Sequence, residues 1–432
     1  MNESVNIVVN TPHGRTKQRS LSCIVKQGSV LGPTLCSSST AELADESRYG
    51  VNTGKINVPC AIFVDDILNL NTNSTNTIRS HDDTLFFSKK KRLGLSYDKC
   101  LLMVANKKPK EVVPTLEIKK HAMSHVRCIK VLGDMINDRS TNTDLIAHRV
   151  KRGKGVVVSS FSLCSELSLG CFSLEIQAVL YESVFLQTVI FNSQSWTKLT
   201  KTDCKNLQCV QLKYLKRMMQ APNATPNVSL FLELGVLPIV QEIHVRKLVF
   251  LHHILNLEDD DPEKGMYCEQ LELPFEANWG NEVKHLKDMY GITIRDEEIE
   301  KLTIDAWRNM VKTKVSDVTF NRLKNLASEG HKTCQIVYET FGRQKYVNHL
   351  LPRDARLIFR LRSRTVSCKD NHKSSYSNLQ CRLCRSELET QAHVVNCPVV
   401  RGGDGELDVE RVYGMDFVEE RTLIDGIVLD GY

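Results

Sequence analysis

The stretch from Ala61 to Leu68 constrains the fold of this chain most, because two adjacent carboxylates interrupt an apolar run. Ala61–Val64 precede Asp65 and Asp66, and the apolar pattern then resumes, which predicts two buried β-strands joined by a turn. Ionised carboxylates in such a place need metal ions or cationic partners to offset their desolvation. The pair therefore suits a divalent metal site, although a solvated hairpin turn accounts for the same residues without a function.

A second pattern begins upstream at Gln27 and Gly28. A short spacer separates this pair from Pro33, which can occupy the first turn of a helix over residues 33–46. A plain strand–turn–helix explains this segment alone. Combined with the Asp pair, it resembles motifs B and C in the palm of reverse transcriptases, in the variant of non-long-terminal-repeat (LINE-like) retrotransposons.

The resemblance implies roles for these residues. Gln27, Gly28 and Pro33 would frame the nucleotide and template, and Asp65 and Asp66 would be catalytic ligands of Mg²⁺ or Mn²⁺. The implied activity is RNA-directed DNA polymerisation, with an RNA template, a DNA primer and dNTPs as partners.

Two shorter segments extend the resemblance along the palm. Lys99, within Gly94–Cys100, matches the lysine of motif D, which implies that it assists the departure of pyrophosphate. As one exposed lysine of a basic segment, it would need no such role. Val131–Gly133 resembles motif E. The fold class expected is therefore α+β, with a partial palm of antiparallel sheet and helices over residues 1–140.

A helical region follows, and residues 141–256 are expected to form a helical thumb. Within 202–219 apolar residues recur three and four positions apart, while Lys213, Lys216 and Arg217 occupy mostly other directions. One face would pack and the other would contact nucleic acid, although any helix on a protein surface shows the same pattern. The sequences of Gln220–Pro226 and Leu232–Gly235 are again similar to the thumb of LINE-like polymerases.

The acidic, proline-containing break at 257–263 predicts a linker, and residues 264–345 read as a helical connection with Trp307 as a packing anchor. Residues 346–400 begin with arginines placed between apolar residues. Guanidinium groups at this density suit bidentate contact with phosphates. The residues predicted to bind nucleic acid there are Arg356, Arg360, Arg362 and Arg364.

These arginines lead into Cys381-x2-Cys384-x8-His393-x3-Cys397, four ligands at spacings that one tetrahedral Zn²⁺ accepts. The Cys-x2-Cys spacing brings two thiolates to one ion, and the His-x3-Cys spacing places the other two ligands one helical turn apart. Four unrelated residues are the alternative, since the chain has 15 cysteines. The pattern also resembles the carboxy-terminal zinc knuckle of the same retroelement polymerases.

Composition narrows the function classes. Lysine and arginine exceed aspartate and glutamate by 57 to 51, a mild bias that does not by itself require nucleic acid. The sequence lacks a run of about eighteen apolar residues and lacks a secretion signal. We therefore expect neither a membrane span nor export. The odd, scattered cysteines favour a reducing compartment, cytoplasm or nucleus. Residues 401–432 form an acidic tail that is expected to be disordered.

The beginning of the sequence departs from the family pattern. Two-metal nucleotidyl transfer needs carboxylates from separate strands, and the family takes one from motif A, upstream of motif B. Here Glu3 is the only acidic residue before Glu42. We therefore expect an amino-terminally truncated polymerase with little or no activity as an isolated chain. The alternatives are a non-enzymatic RNA- or DNA-binding remnant and an unfolded relic with unpaired strands.

Overall fold

The fold was analysed in a computed structural model. It describes residues 5–8, 10–12, 14–21, 32–53, 56–107, 113, 115–118, 120–166, 173–273, 278–329, 338–366, 368–371 and 376–401. The chain divides into two compact units. The first comprises Met1–Ile129, Asn137–Ser140 and Leu257–Pro274, and the second comprises Lys130–Ile136, Thr141–Asn256 and Phe275–Tyr432. The predicted acidic tail lies outside the described residues, except for Arg401.

Short strands and longer helices make up both units. The strands are β1 (Val5–Ile7), β2 (Asn10–Thr11), β3 (Gly14–Arg15), β4 (Arg19–Leu21), β5 (Val51–Thr53), β6 (Ile56–Val58), β7 (Cys60–Phe63), β8 (Asp66–Asn69), β9 (Leu101–Leu102), β10 (Glu117–Ile118), β11 (His121–Ala122), β12 (Ser124–His125), β13 (Cys128–Val131) and β14 (Asp134–Asn137). The helices are α1 (Gly32–Glu46), α2 (Ser74–Lys90), α3 (Thr143–Glu166), α4 (Leu174–Leu180), α5 (Gln187–Val189), α6 (Lys201–Met218), α7 (Asn227–Leu234), α8 (Ile239–Leu255), α9 (Pro262–Glu272), α10 (Trp279–Met289), α11 (Asp296–Ile299), α12 (Ile304–Glu329), α13 (Lys345–His349), α14 (Pro352–Arg362), α15 (Gln391–Asn396) and α16 (Pro398–Arg401). This mixture confirms the α+β class.

The strands of the first unit pair two by two. Within the described ranges every sheet has two strands. The pairs β1–β4, β2–β3, β5–β6, β7–β8 and β10–β11 are antiparallel, and β9 and β12 are parallel. The described strands thus form separate two-stranded sheets, whereas the sequence predicted an antiparallel sheet for the partial palm. Two-stranded ladders bury little apolar surface, so packing against helices must stabilise them.

A small core ties the helices of the first unit to one of these hairpins. Leu43 of α1, Cys60 of β7 and Phe87 of α2 are buried together, and Ile62 and Ile67 pack against them. The predicted helix over 33–46 is confirmed by α1. The two ion pairs Lys90–Glu46 and Lys91–Glu42 link α2 to α1 at the surface.

Three aromatic rings from two helical segments pack together in the core of the second unit. Tyr181 and Phe185 lie on a π-helix (Tyr181–Leu186) that continues α4, and both rings lie within 5.4 Å of the Tyr214 ring of α6, centroid to centroid. A Cβ at Gly153 of α3 would lie 2.6 Å from Val189 Cγ2, so this position needs glycine. The predicted apolar face of α6 is confirmed, because Leu207, Val210, Tyr214 and Met218 are buried.

Two further sequence expectations concern helices. Trp307 is fully buried, and its indole Nε1 donates to the Leu248 carbonyl at 2.8 Å, as expected of a packing anchor. Among the described residues no single helix is long and apolar enough to cross a bilayer; α7 and α8, bent by 52° at their junction, meet the length and composition test only as a pair.

A buried carboxylate in α7 joins this helix to the carboxy-terminal segments of the second unit. Glu233 is fully buried and accepts hydrogen bonds from Tyr338 Oη at 2.6 Å, Tyr346 Oη at 3.0 Å and Arg362 Nε at 2.9 Å. The pKa of Tyr338 and of Tyr346 is raised, mainly by burial and secondly by the negative charge of Glu233. Both phenols therefore remain hydrogen-bond donors at neutral pH. The segment just before α13 lies close to Gly235 of the α7 end. At Gly235 φ is 60°, and a Cβ would lie 2.3 Å from the Arg343 backbone nitrogen.

We expect Glu233→Ala to lower the free energy of unfolding by about 3–5 kcal/mol, because it leaves the Arg362 charge buried without its carboxylate. Urea unfolding followed by circular dichroism measures the change. Glu339→Ala, at an exposed carboxylate, is the control and should stay within about 0.5 kcal/mol of the parent chain. Equal midpoints for the two variants would contradict the structural role of Glu233.

Candidate functional site

The Asp pair lies at the turn of the β7–β8 hairpin. Phe63 pairs with Asp66 across the hairpin, so Val64 and Asp65 form a two-residue turn and Asp66 begins β8. The predicted hairpin is confirmed, but the expectation that its strands are buried is wrong. Phe63 is 59% exposed and Ala61 is exposed, because α1 and α2 cover only the face with Ile62 and Ile67.

The turn is held in an uncommon backbone conformation. Val64 has φ 57°, which is costly for a β-branched residue and indicates strain at this position. Its carbonyl accepts a hydrogen bond from Cys36 Sγ of α1 at 3.6 Å. Helix α1 thus supports the tip of the hairpin directly, which is a contact that the sequence analysis did not foresee.

Both carboxylates of the pair face solvent. Asp65 and Asp66 are exposed, and neither forms an ion pair within the part of the chain that the structure describes. Oxygen ligands that are exposed and unpaired suit a hard divalent cation such as Mg²⁺ or Mn²⁺, so the residues present fit a metal of that class.

The other predicted catalytic residues are described to different extents. Gln27 and Gly28 lie outside the described residues. Pro33 lies in the first turn of α1, as expected. Lys99 ends an exposed 3₁₀ turn (Tyr97–Lys99), where its backbone nitrogen donates to the Ser96 carbonyl. Its role in catalysis stays a prediction.

Helix α1 also carries acidic residues close in sequence to the hairpin. Glu42 and Glu46 are engaged by Lys91 at 2.6 Å and Lys90 at 2.5 Å. The hydrogen bond from Lys91 is the main cause that lowers the pKa of Glu42. Asp45 is exposed on the same helix. Two of these three carboxylates are thus already neutralised by lysines.

The segment that resembles motif E is a tight hairpin turn. Leu132 has φ 47° and Gly133 has φ 92°, the positive values that a type I′ turn between β13 and β14 requires. A buried arginine of α3, Arg149, holds this turn: it donates to the Gly133 carbonyl at 3.2 Å and pairs with Asp134. Asn192 donates to the other oxygen of Asp134 at 2.7 Å.

Sequence reasoning did not single out Arg149. It stands in the run Arg149–Lys154, where charge alone does not separate a buried arginine from exposed lysines. The helical period distinguishes it, because Arg149 follows Leu145 and Ile146 on the buried face of α3.

The cations predicted on α6 border a groove of about 630 Å³. Its lining includes Cys209, Leu212, Lys213, Lys216, Arg217 and Ala221. Lys213 and Arg217 are exposed, and the Arg217 guanidinium lies 5.0 Å from the centroid of the Phe161 ring. Lys216 is half-buried and its Nζ donates to the Asn223 carbonyl at 2.8 Å. The structure therefore brings together the three α6 cations that the sequence pattern selected.

Two of the predicted arginines, both on α14, contact the carboxy-terminal end of α6. Arg360 Nη2 donates to the Gln220 carbonyl at 2.9 Å, and Arg356 Nε donates to the Met218 carbonyl at 3.1 Å. Burial, followed by the neighbouring charge of Arg356, lowers the pKa of Arg360. Arg360 Nε is buried without a hydrogen-bond partner among the described residues. An anion near Arg360 would offset both effects.

The structure corrects the prediction for Arg356 and Arg362. Both side chains are buried, at 7% and 5% exposure, because Arg356 contacts the end of α6 and Arg362 pairs with Glu233. They stabilise the fold and are not placed to meet a phosphate. Arg364 is half-buried with φ 51°, just after the end of α14. The predicted arginine cluster is thus largely internal.

The four predicted metal ligands form one cluster. One ligand atom from each of Cys381, Cys384, His393 and Cys397 lies within 4.8 Å of all the others. Cys381 Sγ is 3.8 Å from Cys397 Sγ, and Cys384 Sγ is 3.2 Å from His393 Nε2. Tetrahedral zinc with bonds of about 2.3 Å to sulfur sets its ligand atoms about 3.8 Å apart. The donor set and the spacing both fit zinc.

Hydrogen bonds prepare the thiols for this role. The Ser386 hydroxyl, 3.1 Å from Cys384 Sγ, is the main cause that lowers the pKa of Cys384 to about 6. The Leu383 amide donates to Cys381 Sγ at 3.4 Å. Such donors favour the thiolate, which is the form that binds metal.

A buried glutamate fixes the loop that carries the first two cysteines. Glu389 is fully buried and accepts from the Arg382 backbone at 2.8 Å and side chain at 2.7 Å, and from the Lys369 backbone at 3.1 Å. Gln391 Nε2 then donates to the Leu361 carbonyl at 2.7 Å, which attaches the cluster to α14. The cluster is therefore anchored to the second unit.

Comparison with known proteins bears on the first part of the chain. No curated protein matches the chain. Residues 4–136, from the first strands to the end of the β13–β14 hairpin, match the family model described as reverse transcriptase (RNA-dependent DNA polymerase). This match includes Asp65, Asp66 and Lys99 and supports a reverse transcriptase domain in residues 4–136, whose family acts on a nucleic-acid template and primer with dNTPs and a divalent metal.

Proposed function

We propose that the chain is part of the RNA-directed DNA polymerase of a non-long-terminal-repeat (LINE-like) retrotransposon. The observation that carries the proposal is the exposed, unpaired Asp65–Asp66 pair on a tight hairpin, within the segment that matches the reverse transcriptase family. We divide the chain into a partial palm (1–140), a thumb (141–256), a connection (264–345) and a basic segment with a zinc knuckle (346–400).

Residues of the hairpin, of α1 and of the Tyr97–Lys99 turn would perform three tasks. Asp65 and Asp66 would hold divalent ions, and Cys36 would keep the tip in place through the Val64 carbonyl. Ions of this class, when bound, lower the charge on the nucleotide phosphates and favour the ionised primer hydroxyl. Lys99 would donate a proton to the leaving pyrophosphate, or its positive charge would neutralise the negative charge that develops there.

We further propose that this chain by itself extends primers weakly. Two-metal transfer takes carboxylates from separate strands. In the described part of the chain, β8 and the turn before it supply both aspartates, while Glu42 and Glu46 of α1 are engaged by lysines. A non-enzymatic nucleic-acid-binding remnant is the second candidate, favoured by the cationic groove on α6.

We expect primer extension on an RNA template by the purified chain to stay near background with Mg²⁺ and with Mn²⁺. Asp65→Asn and the parent chain should then give equal products. Asp45→Asn, at an exposed carboxylate of α1, is the matched control.

Each other result of this assay has a definite meaning. Strong extension that Asp65→Asn abolishes would support the polymerase and contradict the proposed weakness of the site. Extension that persists in the Asp65→Asn, Asp66→Asn double variant would contradict the assignment of the catalytic hairpin.

The α6 groove is the surface that we propose for nucleic acid. Lys213 and Arg217 are exposed at its border, and Arg360 lies at the helix end with an unsatisfied donor. Leu212, Ala221 and the lysine stems provide an apolar lining. Cationic borders attract the phosphate backbone, so binding should weaken steeply with rising salt concentration.

An exposed thiol in this groove allows a direct test. We expect saturating primer–template to slow alkylation of Cys209 by N-ethylmaleimide severalfold, because bound nucleic acid would cover it. Cys268, an exposed thiol of α9, is the internal control and should react at the same rate with and without nucleic acid. Site-resolved mass spectrometry measures both rates.

The Lys213→Ala, Arg217→Ala double variant should lose the protection of Cys209. Unchanged Cys209 reactivity in the parent chain, under conditions where fluorescence anisotropy shows saturated binding, would place the nucleic acid elsewhere.

We also propose that Cys381, Cys384, His393 and Cys397 hold one structural Zn²⁺. The compact Cys₃His donor set supports this, and all four positions are protein ligands, as in structural zinc sites. When bound, the ion would cross-link the loop 381–384 to the α15 region. It would have no open coordination position for a substrate.

A further inference from the structure

The imidazole of His393 lies between two different partners. Its side chain is 5% exposed, and Nε2 faces Cys384 Sγ at 3.2 Å, inside the proposed zinc cluster. Nδ1 faces away from the cluster and lies 3.0 Å from Oε2 of Glu387. The two ring nitrogens are therefore divided between the metal ligands and a carboxylate outside them.

This arrangement determines which nitrogen carries the proton. A neutral imidazole has one N–H donor and one acceptor nitrogen, and a carboxylate can only accept. A hydrogen bond to Glu387 therefore requires the proton on Nδ1. The lone pair then lies on Nε2, the nitrogen that faces the thiols, and this is the form that can bind a metal ion.

Other contacts fix the backbone of His393 but not its ring. The His393 amide donates to Thr390 Oγ1 at 3.1 Å, which caps the first turn of α15. This cap sets the position of the Cα atom and leaves the orientation of the ring to the contacts of its own two nitrogens. In the described part of the chain, Glu387 is the residue that hydrogen-bonds to Nδ1.

Glu387 differs from its neighbour Glu389 in a way that separates function from folding. The Glu387 side chain is 70% exposed, whereas Glu389 is fully buried and binds Arg382 and Lys369. Removal of an exposed carboxylate costs little packing, while removal of Glu389 would leave buried donors unsatisfied. A change at Glu387 can thus test the cluster without disrupting the surrounding loop.

We propose that Glu387 is a positioning residue for the metal site: it holds the His393 ring and its Nδ1–H tautomer so that Nε2 points at the ion. This inference rests on the proposed zinc site. A carboxylate that accepts from a ligating histidine also raises the basicity of the ligand, and loss of such a partner lowers metal affinity about 10–100-fold.

Titration of the full chain with Co²⁺, as a spectroscopic substitute for zinc, tests the proposal. Glu387→Ala should weaken Co²⁺ binding about tenfold or more. Glu387→Gln should recover most of the affinity, because the amide oxygen still accepts from Nδ1–H. Glu339→Ala, at an exposed carboxylate outside the cluster, should bind like the parent chain.

The Co²⁺ absorption bands distinguish a positioning residue from a ligand. Glu387→Ala should keep the bands of three thiolates and one imidazole, with saturation at higher metal concentration. Cys384→Ser, which removes a ligand, should change the bands themselves. Circular dichroism of each metal-free variant shows whether it has kept its helices. If Glu387→Ala has not, Glu387→Leu, which also lacks an acceptor for Nδ1–H, provides the test and should lose the same affinity.

The possible failures are distinguishable. If the parent chain does not bind one Co²⁺ with these bands, the proposed zinc site is wrong, and the role of Glu387 is overturned with it. If the parent chain binds and Glu387→Ala binds within about twofold of it, the zinc site stands and the positioning role is overturned.

Discussion

The buried ion pair between Glu233 and Arg362 is the interaction on which the functional surfaces of the second unit depend. It joins α7 to α14, and Tyr338 and Tyr346 complete the hydrogen bonding of the carboxylate. Since charged groups are costly to bury unless they are paired, this network favours one docked position of α14. This network gives a physical reason for a glutamate within the apolar sequence Leu232–Gly235.

Helix α14, once docked, positions two other features. Arg356 and Arg360 reach the carbonyls at the end of α6, where the cationic groove lies. The carbonyl of Leu361 receives the hydrogen bond that attaches the Cys₃His cluster. The arginines of α14 therefore help to build this surface, and in our proposal the exposed cations of α6 contact the nucleic acid directly.

How much the sequence predicts depends on how local the information is. The hairpin with Asp65 and Asp66 and the zinc-ligand spacing are written in short segments, so both could be recognised before the structure was known. The role of Arg362 could not, because its partner precedes it by 129 residues and no periodicity reports such a pairing. A glutamate between two leucines of an apolar helix was the available indication that Glu233 is buried.

The catalytic hairpin is the central claim, and metal-directed cleavage tests it most directly. Fe²⁺ in place of Mg²⁺, with dNTP and primer–template present and the Cys₃His cluster filled with zinc, reduces added hydrogen peroxide to hydroxyl radicals that cut the backbone beside the bound ion, and ascorbate returns Fe³⁺ to Fe²⁺. Our account predicts a cut close to Asp65 that disappears in the Asp65→Asn, Asp66→Asn double variant. The absence of that cut in the parent chain, or the same cut in the double variant, would contradict a divalent metal site at this hairpin.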